Sequence, residues 1–256
     1  MSDILEVQDV SINFGGHRAV DGATFSVEQG SITSLIGPNG AGKTTVFNLI
    51  CGILETQTGD VRFDGQSIRG LKPFQIARSG LGRTFQDPRI YPEMSVLDNV
   101  IVGVRQRGEL IWPALLRDRA MKAQLRDARA RAESTLETFG LGGRMHEPGR
   151  SLSFGEQRFL SIARTLVSAP KLVLMDEPTV GLDQMGLAKL SGLMTEIASR
   201  TGTTFLVIEH NMEVVMAMSR KIVLLVAGRV EASDTPDKVR SHRNMVEAYL
   251  GRKHAA

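Results

Sequence analysis

The sequence predicts an α/β fold: a buried parallel sheet alternating with helices, fronted by an antiparallel β layer and interrupted by a helical insert. Three observations carry this. Residues 37–44 read Gly-Pro-Asn-Gly-Ala-Gly-Lys-Thr, a GxxxxGK[ST] phosphate loop set between an apolar β-branched run and a run with helical spacing. Two further apolar runs, Lys171–Asp176 and Thr203–Glu209, enclose a helical stretch at Leu187–Arg200, which is the βαβ pattern of a sheet covered on both faces. Between these regions Arg117–Phe139 is rich in Ala, Arg, Leu and Glu and shows no strand alternation.

In chain order, Leu5–Phe14 alternates apolar and polar residues, and Ala23–Val27 repeats the pattern after turn signals at Gly15-Gly16 and Asp21-Gly22. This opening third reads as an antiparallel layer beside the phosphate-loop strand Ser31–Ile36. Val61–Gly65 adds a short hairpin arm, and the stretch from about Ser95 to Gly140 reads as helical. A helix is expected over Phe159–Val167, a terminal hairpin over Ile222–Ala227 and Arg229–Ala232, and short helices at Pro236–Arg240 and Met245–Leu250.

Composition narrows the function classes. The formal charge of +3 is spread without any run of five like charges, which argues against a nucleic-acid partner. The single cysteine, Cys51, excludes an internal disulfide framework and a cysteine metal cluster. His17, His146, His242 and His254 are scattered without metal-ligand spacing. The acidic, alternating start is unlike a signal peptide, and the longest apolar run, Ile222–Ala227, is far short of a bilayer span, so a cytoplasmic chain is expected.

The chemistry sits at strand ends. In the loop, Gly37, Asn39, Gly40, Gly42, Lys43, Thr44 and Thr45 are the candidate phosphate binders: backbone N–H groups converge at the positive end of a helix, and glycine permits close approach. Lys43 is expected at the β/γ-phosphates and Thr44 at Mg²⁺. The strand Leu172–Met175 delivers Asp176 and Glu177 at its C-terminal end, where open α/β sheets bind ligands. Adjacent carboxylates there call for a cation, so Asp176 is assigned to Mg²⁺ and Glu177 to activation of the attacking water as a general base. A surface turn closed by Pro178 is the plainer alternative for this pair.

Leu152-Ser153-Phe154-Gly155-Glu156-Gln157-Arg158 resembles the LSGGQ signature of ATP-binding cassette (ABC) proteins. The other motifs of that family follow in order: Phe14 as the adenine-stacking aromatic, Gln86 of the Q-loop, Gly181-Leu182-Asp183 as the D-loop and His210 as the switch histidine. The resemblance spans nearly the whole chain. It implies a P-loop NTPase ABC cassette with a RecA-like core and an antiparallel β subdomain, over about 1–94 and 168–256, and a helical subdomain over about 95–167. It further implies ATP and Mg²⁺ as ligands, with Gln86 and His210 joining Glu177 in catalysis and Gln86 also near the metal. Ser153 and Gly155 would complete the site of the opposite subunit of a cassette dimer, and Asp183 of the D-loop would belong to the nucleotide-binding set. For Phe14, Gln86 and His210 the plainer readings are core packing, a polar loop and a helix cap.

Two departures stand out. Phe154 replaces a signature glycine and Glu156 replaces a glutamine; a carboxylate there would repel triphosphate unless it turns away or is compensated. With one cassette and no spanning helix, the chain resembles the separate ATPase subunit of an importer for branched-chain amino acids, urea or short amides. The carriers of that resemblance are Leu81–Gln86, Ser153–Arg158, Val246–Gly251 and an insertion over Arg105–Arg131 with Trp112-Pro113. Polytopic permease subunits, a second ATPase subunit and an extracytoplasmic solute-binding protein are the implied partners, at the cytoplasmic face of the membrane. A lipopolysaccharide-export ATPase and a soluble cassette of the iron–sulfur assembly type are the alternatives.

Overall fold

The computed structural model describes residues 2–104 and 119–242. The Trp112-Pro113 stretch, the expected Met245–Leu250 helix and the Val246–Gly251 motif lie outside them. The chain divides into two compact units, one drawn from residues 1–86, 171–180 and 184–256, the other from 87–170 and 181–183.

In the first unit, β1 (Asp3–Phe14), β2 (His17–Glu28), β4 (Thr58–Phe63) and β5 (Gln66–Ser67) form an antiparallel sheet in the order β2-β1-β4-β5. Gly15 and Gly16, both at positive φ, turn β1 into β2. Asp21-Gly22 is not a turn, as the sequence suggested, but lies within β2. Val10 pairs with Ala23 and Ile12 with Val20, so β2 carries one extra residue at a bulge that Gly22 accommodates at φ 64°.

The second sheet runs β10-β9-β3-β8-β7-β6, from β3 (Ile32–Ile36), β6 (Leu81–Arg83), β7 (Leu172–Asp176), β8 (Thr204–Ile208), β9 (Lys221–Val226) and β10 (Arg229–Asp234). All neighbours are parallel except the β9–β10 hairpin. The strand β6 escapes sequence reading because three residues are too few to show a period of two.

Alternation along these strands divides the core. Leu35, Leu174, Leu206, Val223 and Leu225 join one hydrophobic cluster with residues of the antiparallel sheet and with Val46, Phe47 and Ile50 of α1 (Lys43–Ile50). On the other face Ile36, Ile222 and Leu224 pack with Val215 of α7 (Met212–Met218) and Val239 of α8 (Pro236–Arg240). Both faces being covered, all five residues of β3 and of β8 are buried. The unit also holds α2 (Pro73–Ser79) and α6 (Gln184–Thr201), whose Leu190, Met194 and Ala198 point inward at helical spacing.

The second unit is helical: α3 (Val96–Ile101), α4 (Arg119–Thr138) and α5 (Phe154–Leu166) pack together around Val100, Leu136, Phe139 and Leu160. Phe139 meets Phe159 with ring centroids 6.2 Å apart and tilted. The helix expected from Phe159 starts five residues earlier, at Phe154. Ser153 and Glu156 form a capping box that satisfies its first turn, so the helix begins inside the signature. Among the described residues no helix is long and apolar enough to cross a membrane.

Candidate functional site

Because β3, β7 and β8 are parallel neighbours, their C-terminal ends deliver the phosphate loop, Asp176-Glu177 and Glu209-His210 to the same edge of the sheet. Asn39, Gly40, Gly42, Lys43, Thr44, Thr45, Glu177 and His210 line one cavity of about 340 Å³, with His17, Ala19, Ala41 and Ile208. The loop wraps tightly before α1. Gly42, the N-cap, has φ 101°, and a Cβ there would lie 2.3 Å from the carbonyl oxygen of Ala19, so only glycine fits.

Lys43 is buried, and its Nζ donates to the carbonyl oxygens of Gly37 at 2.8 Å and Pro38 at 3.0 Å. Two of its three donors thus go to the loop itself, holding the ammonium in place. Burial lowers its pKa, while Glu177 and Asp176 oppose the shift. Asp176 moves the other way: burial pushes its carboxyl up, Arg83 opposes this and Glu177 adds to it. Arg83 itself is tied to Asn48 Oδ1 at 2.8 Å.

Glu177 is held from two sides. Its Oε2 accepts from Gln86 Nε2 at 2.9 Å, and its Oε1 lies 2.8 Å from His210 Nε2. Its backbone has φ 48°, a left-handed conformation unusual for a glutamate, and its N–H is bonded to the Ile208 carbonyl at 2.9 Å. The plainer reading of Asp176-Glu177 as a surface turn does not fit a carboxylate gripped at a cavity wall. Phe14 is 45 % exposed at the end of β1, paired with His17 across the hairpin, and is not among the residues lining the cavity. His17, one of the histidines scattered along the sequence, is the first residue of β2 and does line it.

An Mg²⁺ ion takes oxygen ligands. The Thr44 hydroxyl, the Gln86 side-chain carbonyl and the Asp176 carboxylate are oxygen groups of the kind it takes, and a carboxylate whose pKa burial has raised would gain from an added cation. The residues present therefore fit the metal.

In the other unit, Ser153 caps α5: its Oγ accepts the Glu156 N–H at 3.3 Å, while its own N–H and hydroxyl donate to Glu156 Oε2 at 2.8 and 2.9 Å. Glu156 is compensated by Arg144, whose Nη1 reaches both carboxylate oxygens at 2.8 and 2.7 Å. Burial pushes the Glu156 carboxyl up, but Arg144 and Ser153 outweigh it and hold the group below the ordinary carboxylate value. Arg144 also binds Glu147 Oε2 at 2.6 Å, and its pKa is raised, chiefly by that bond. Phe154 lies over Gly181, where a Cβ would meet its ring carbons at 2.4 and 2.5 Å, so the aromatic at the glycine position of the signature covers the start of the Gly181–Asp183 segment. Gly155 has Leu182 close by, at 3.3 Å from where a Cβ would stand.

Residues 20–180 match the profile of the ABC transporter family. The chain belongs to that family. This ABC ATPase is 37 % identical over 249 residues to the high-affinity branched-chain amino acid transport ATP-binding protein BraF of Pseudomonas aeruginosa, covering 97 % of this chain and 98 % of that one. It is 36 % identical to the corresponding protein LivG of Escherichia coli K12, with the same coverage. The crystal structure of the ADP conformation of MJ1267, an ATP-binding cassette of an ABC transporter, superimposes with a TM-score of 0.84 at 30 % identity and covers 98 % of this chain and all of that one. The fold is therefore the P-loop ABC cassette.

Two site features of the cassette were not legible beforehand. Glu209, the last apolar-run residue by sequence, is a buried carboxylate bonded to both Thr179 and His210. Arg144 carries no motif and becomes relevant only through its contact with Glu156.

Proposed function

We propose that this ABC ATPase is the energy-supplying subunit of an importer for branched-chain amino acids or closely related small polar solutes, working as a cassette dimer at the cytoplasmic face of the membrane. The observation that carries the catalytic part is Glu177, held between Gln86 and His210 at the wall of the phosphate-loop cavity. In that position Glu177 accepts the proton of the attacking water, and His210 fixes the carboxylate and stays within reach of the terminal phosphate. Lys43 and the loop N–H groups, at the start of α1, hold the β- and γ-phosphates. Thr44, Gln86 and Asp176 would hold Mg²⁺, which would neutralise charge on the phosphate oxygens. Phe14 stacks on the adenine from the exposed end of β1.

Ser153 and Gly155 act on the nucleotide of the second subunit, with Asp183 at the same interface. The Arg144 bond supports this reading, because it removes the repulsion that Glu156 would otherwise exert on a triphosphate. The transported solute is supported by end-to-end similarity to BraF and LivG. Polytopic permease subunits and an extracytoplasmic binding protein complete the system.

Affinity capture of the tagged chain with its membrane partners, followed by reconstitution into proteoliposomes, tests the reading. ATP inside the liposome-accessible cassette compartment is expected to drive accumulation of labelled leucine, isoleucine or valine, and chelation of divalent cations with EDTA to stop it. Accumulation of urea or acetamide alone redirects the solute assignment, and capture without any polytopic partner overturns the importer reading.

A further inference from the structure

Glu209 follows β8, is 2 % exposed, and does not line the nucleotide cavity. A carboxylate so buried needs partners for both oxygens. It finds them in two separate segments. Oε1 accepts the Thr179 N–H at 3.0 Å and the Thr179 hydroxyl; Oε2 accepts the N–H groups of His210 at 3.0 Å and Asn211 at 3.3 Å. Thr179 stands two residues beyond Glu177, and the His210 ring is the group that meets the Glu177 carboxylate.

We infer that Glu209 is a positioning residue for ATP hydrolysis, clamping the backbone of the Glu177–Thr179 turn to the backbone of His210 so that the Glu177–His210 pair keeps its geometry. The inference rests on the ATPase reading of the site. The turn needs an external hold because Glu177 adopts φ 48°, which a free chain would leave. On the other side, His210 and Asn211 precede the first turn of α7, where backbone donors have no helical acceptors. Asn211 spends its own side chain on the N–H groups of Glu213 and Val214, so Glu209 supplies the acceptor for those of His210 and Asn211. Only a group with two acceptor oxygens serves both segments. In Glu209→Gln one oxygen becomes an amide NH₂, which faces a pair of donors and releases one side of the clamp.

The full-length chain is tested by steady-state hydrolysis, by ATP binding, and by hydrogen exchange resolved to single amides. Misplacing a catalytic group by about 1 Å costs up to about 100-fold in rate, so Glu209→Gln is expected to lower kcat by at least about tenfold while the ATP Kd stays within about threefold. The amides of Thr179 or His210 should exchange faster. Thr179→Val should show the same kcat-selective loss in milder form and Thr179→Ser should restore it, a pair that still decides the matter if Glu209→Gln fails to fold. A kcat for Glu209→Gln within about twofold of wild type overturns the clamp, as do unchanged exchange at both amides or equal losses in Thr179→Ser and Thr179→Val. A wild-type chain without turnover would instead count against the ATPase reading, and the exchange data would still decide the clamp.

Discussion

Asp176, at the end of β7, and Glu156, in the first turn of α5, are both carboxylates beside residues assigned to phosphate, yet their environments drive them in opposite directions. Asp176 is pushed up by burial among strand ends, with Arg83 and Lys43 only partly offsetting the penalty. Glu156 is held down, because the bidentate Arg144 and the Ser153 cap outweigh its burial. The core site is a set of strained and desolvated groups that a bound cation and triphosphate would relieve. At the signature Arg144 already pairs with Glu156, so the first turn of α5 presents a capped helix start whose carboxylate has its counter-charge in place. A desolvated carboxylate thus lacks a full counter-charge at the end of β7 and has one at the start of α5.

If the core site is the poised one, its substitutions should act hardest on turnover. Glu177→Gln keeps the bonds to its neighbours in outline but removes the base, and hydrolysis should fall by about 10²–10⁴ while MgATP remains bound. Rapid-quench hydrolysis beside nucleotide retention measures this, and wild-type turnover would remove Glu177 from the chemistry. Next in size, Lys43→Ala deletes the buried ammonium, and ATP affinity by calorimetry should drop at least about tenfold, given about 1.5–3 kcal/mol for a charge-assisted contact. Equal affinity would mean that Lys43 merely braces the loop carbonyls of Gly37 and Pro38.

The smallest effect belongs to the signature side. Arg144→Ala should reduce turnover by less than about tenfold, since the pair it breaks is partly solvent-screened. Its pH dependence is more telling. Glu156 has a folded pKa below its ordinary value of 4.5, so its contribution to stability is present above that value and lost as pH falls through the depressed one. Removing Arg144 removes the largest of the lowering causes at Glu156, and the one at Glu147 with it, so the gap in melting temperature between wild type and variant should be full near neutral pH and narrow in acid. A gap that widens on acidification contradicts the compensation of Glu156.

The phosphate loop, the β7 acids, the signature and the order of the remaining motifs were legible from the sequence alone. Each is a contiguous string whose chemistry follows from neighbouring residues, and the apolar runs Lys171–Asp176 and Thr203–Glu209 are long enough to predict by pattern the buried strands found at Leu172–Asp176 and Thr204–Ile208. Sequence reading misplaces the start of α5 by five residues because it takes Ser153 as a phosphate ligand and Glu156 as a carboxylate that repels phosphate, and not the two together as a capping box. Asp21-Gly22 looked like a turn because a bulge uses the same residue types, and only the pairing of β1 with β2 distinguishes them.

What only the tertiary structure decided is which distant groups meet. Gln86 and His210 are 91 and 33 residues from Glu177 yet hold the same carboxylate. Glu209 had the appearance of a strand end until Thr179, 30 residues away, was seen bonded to it. Arg144 was one arginine among many until the fold set it against Glu156, 12 residues on. Local pattern determines which residues form strands, helices and loops, because backbone period and turn chemistry act over a few residues. The partners that set a carboxylate's charge, hold a strained turn or neutralise a helix start come from strand order and packing, and no run of adjacent residues encodes them.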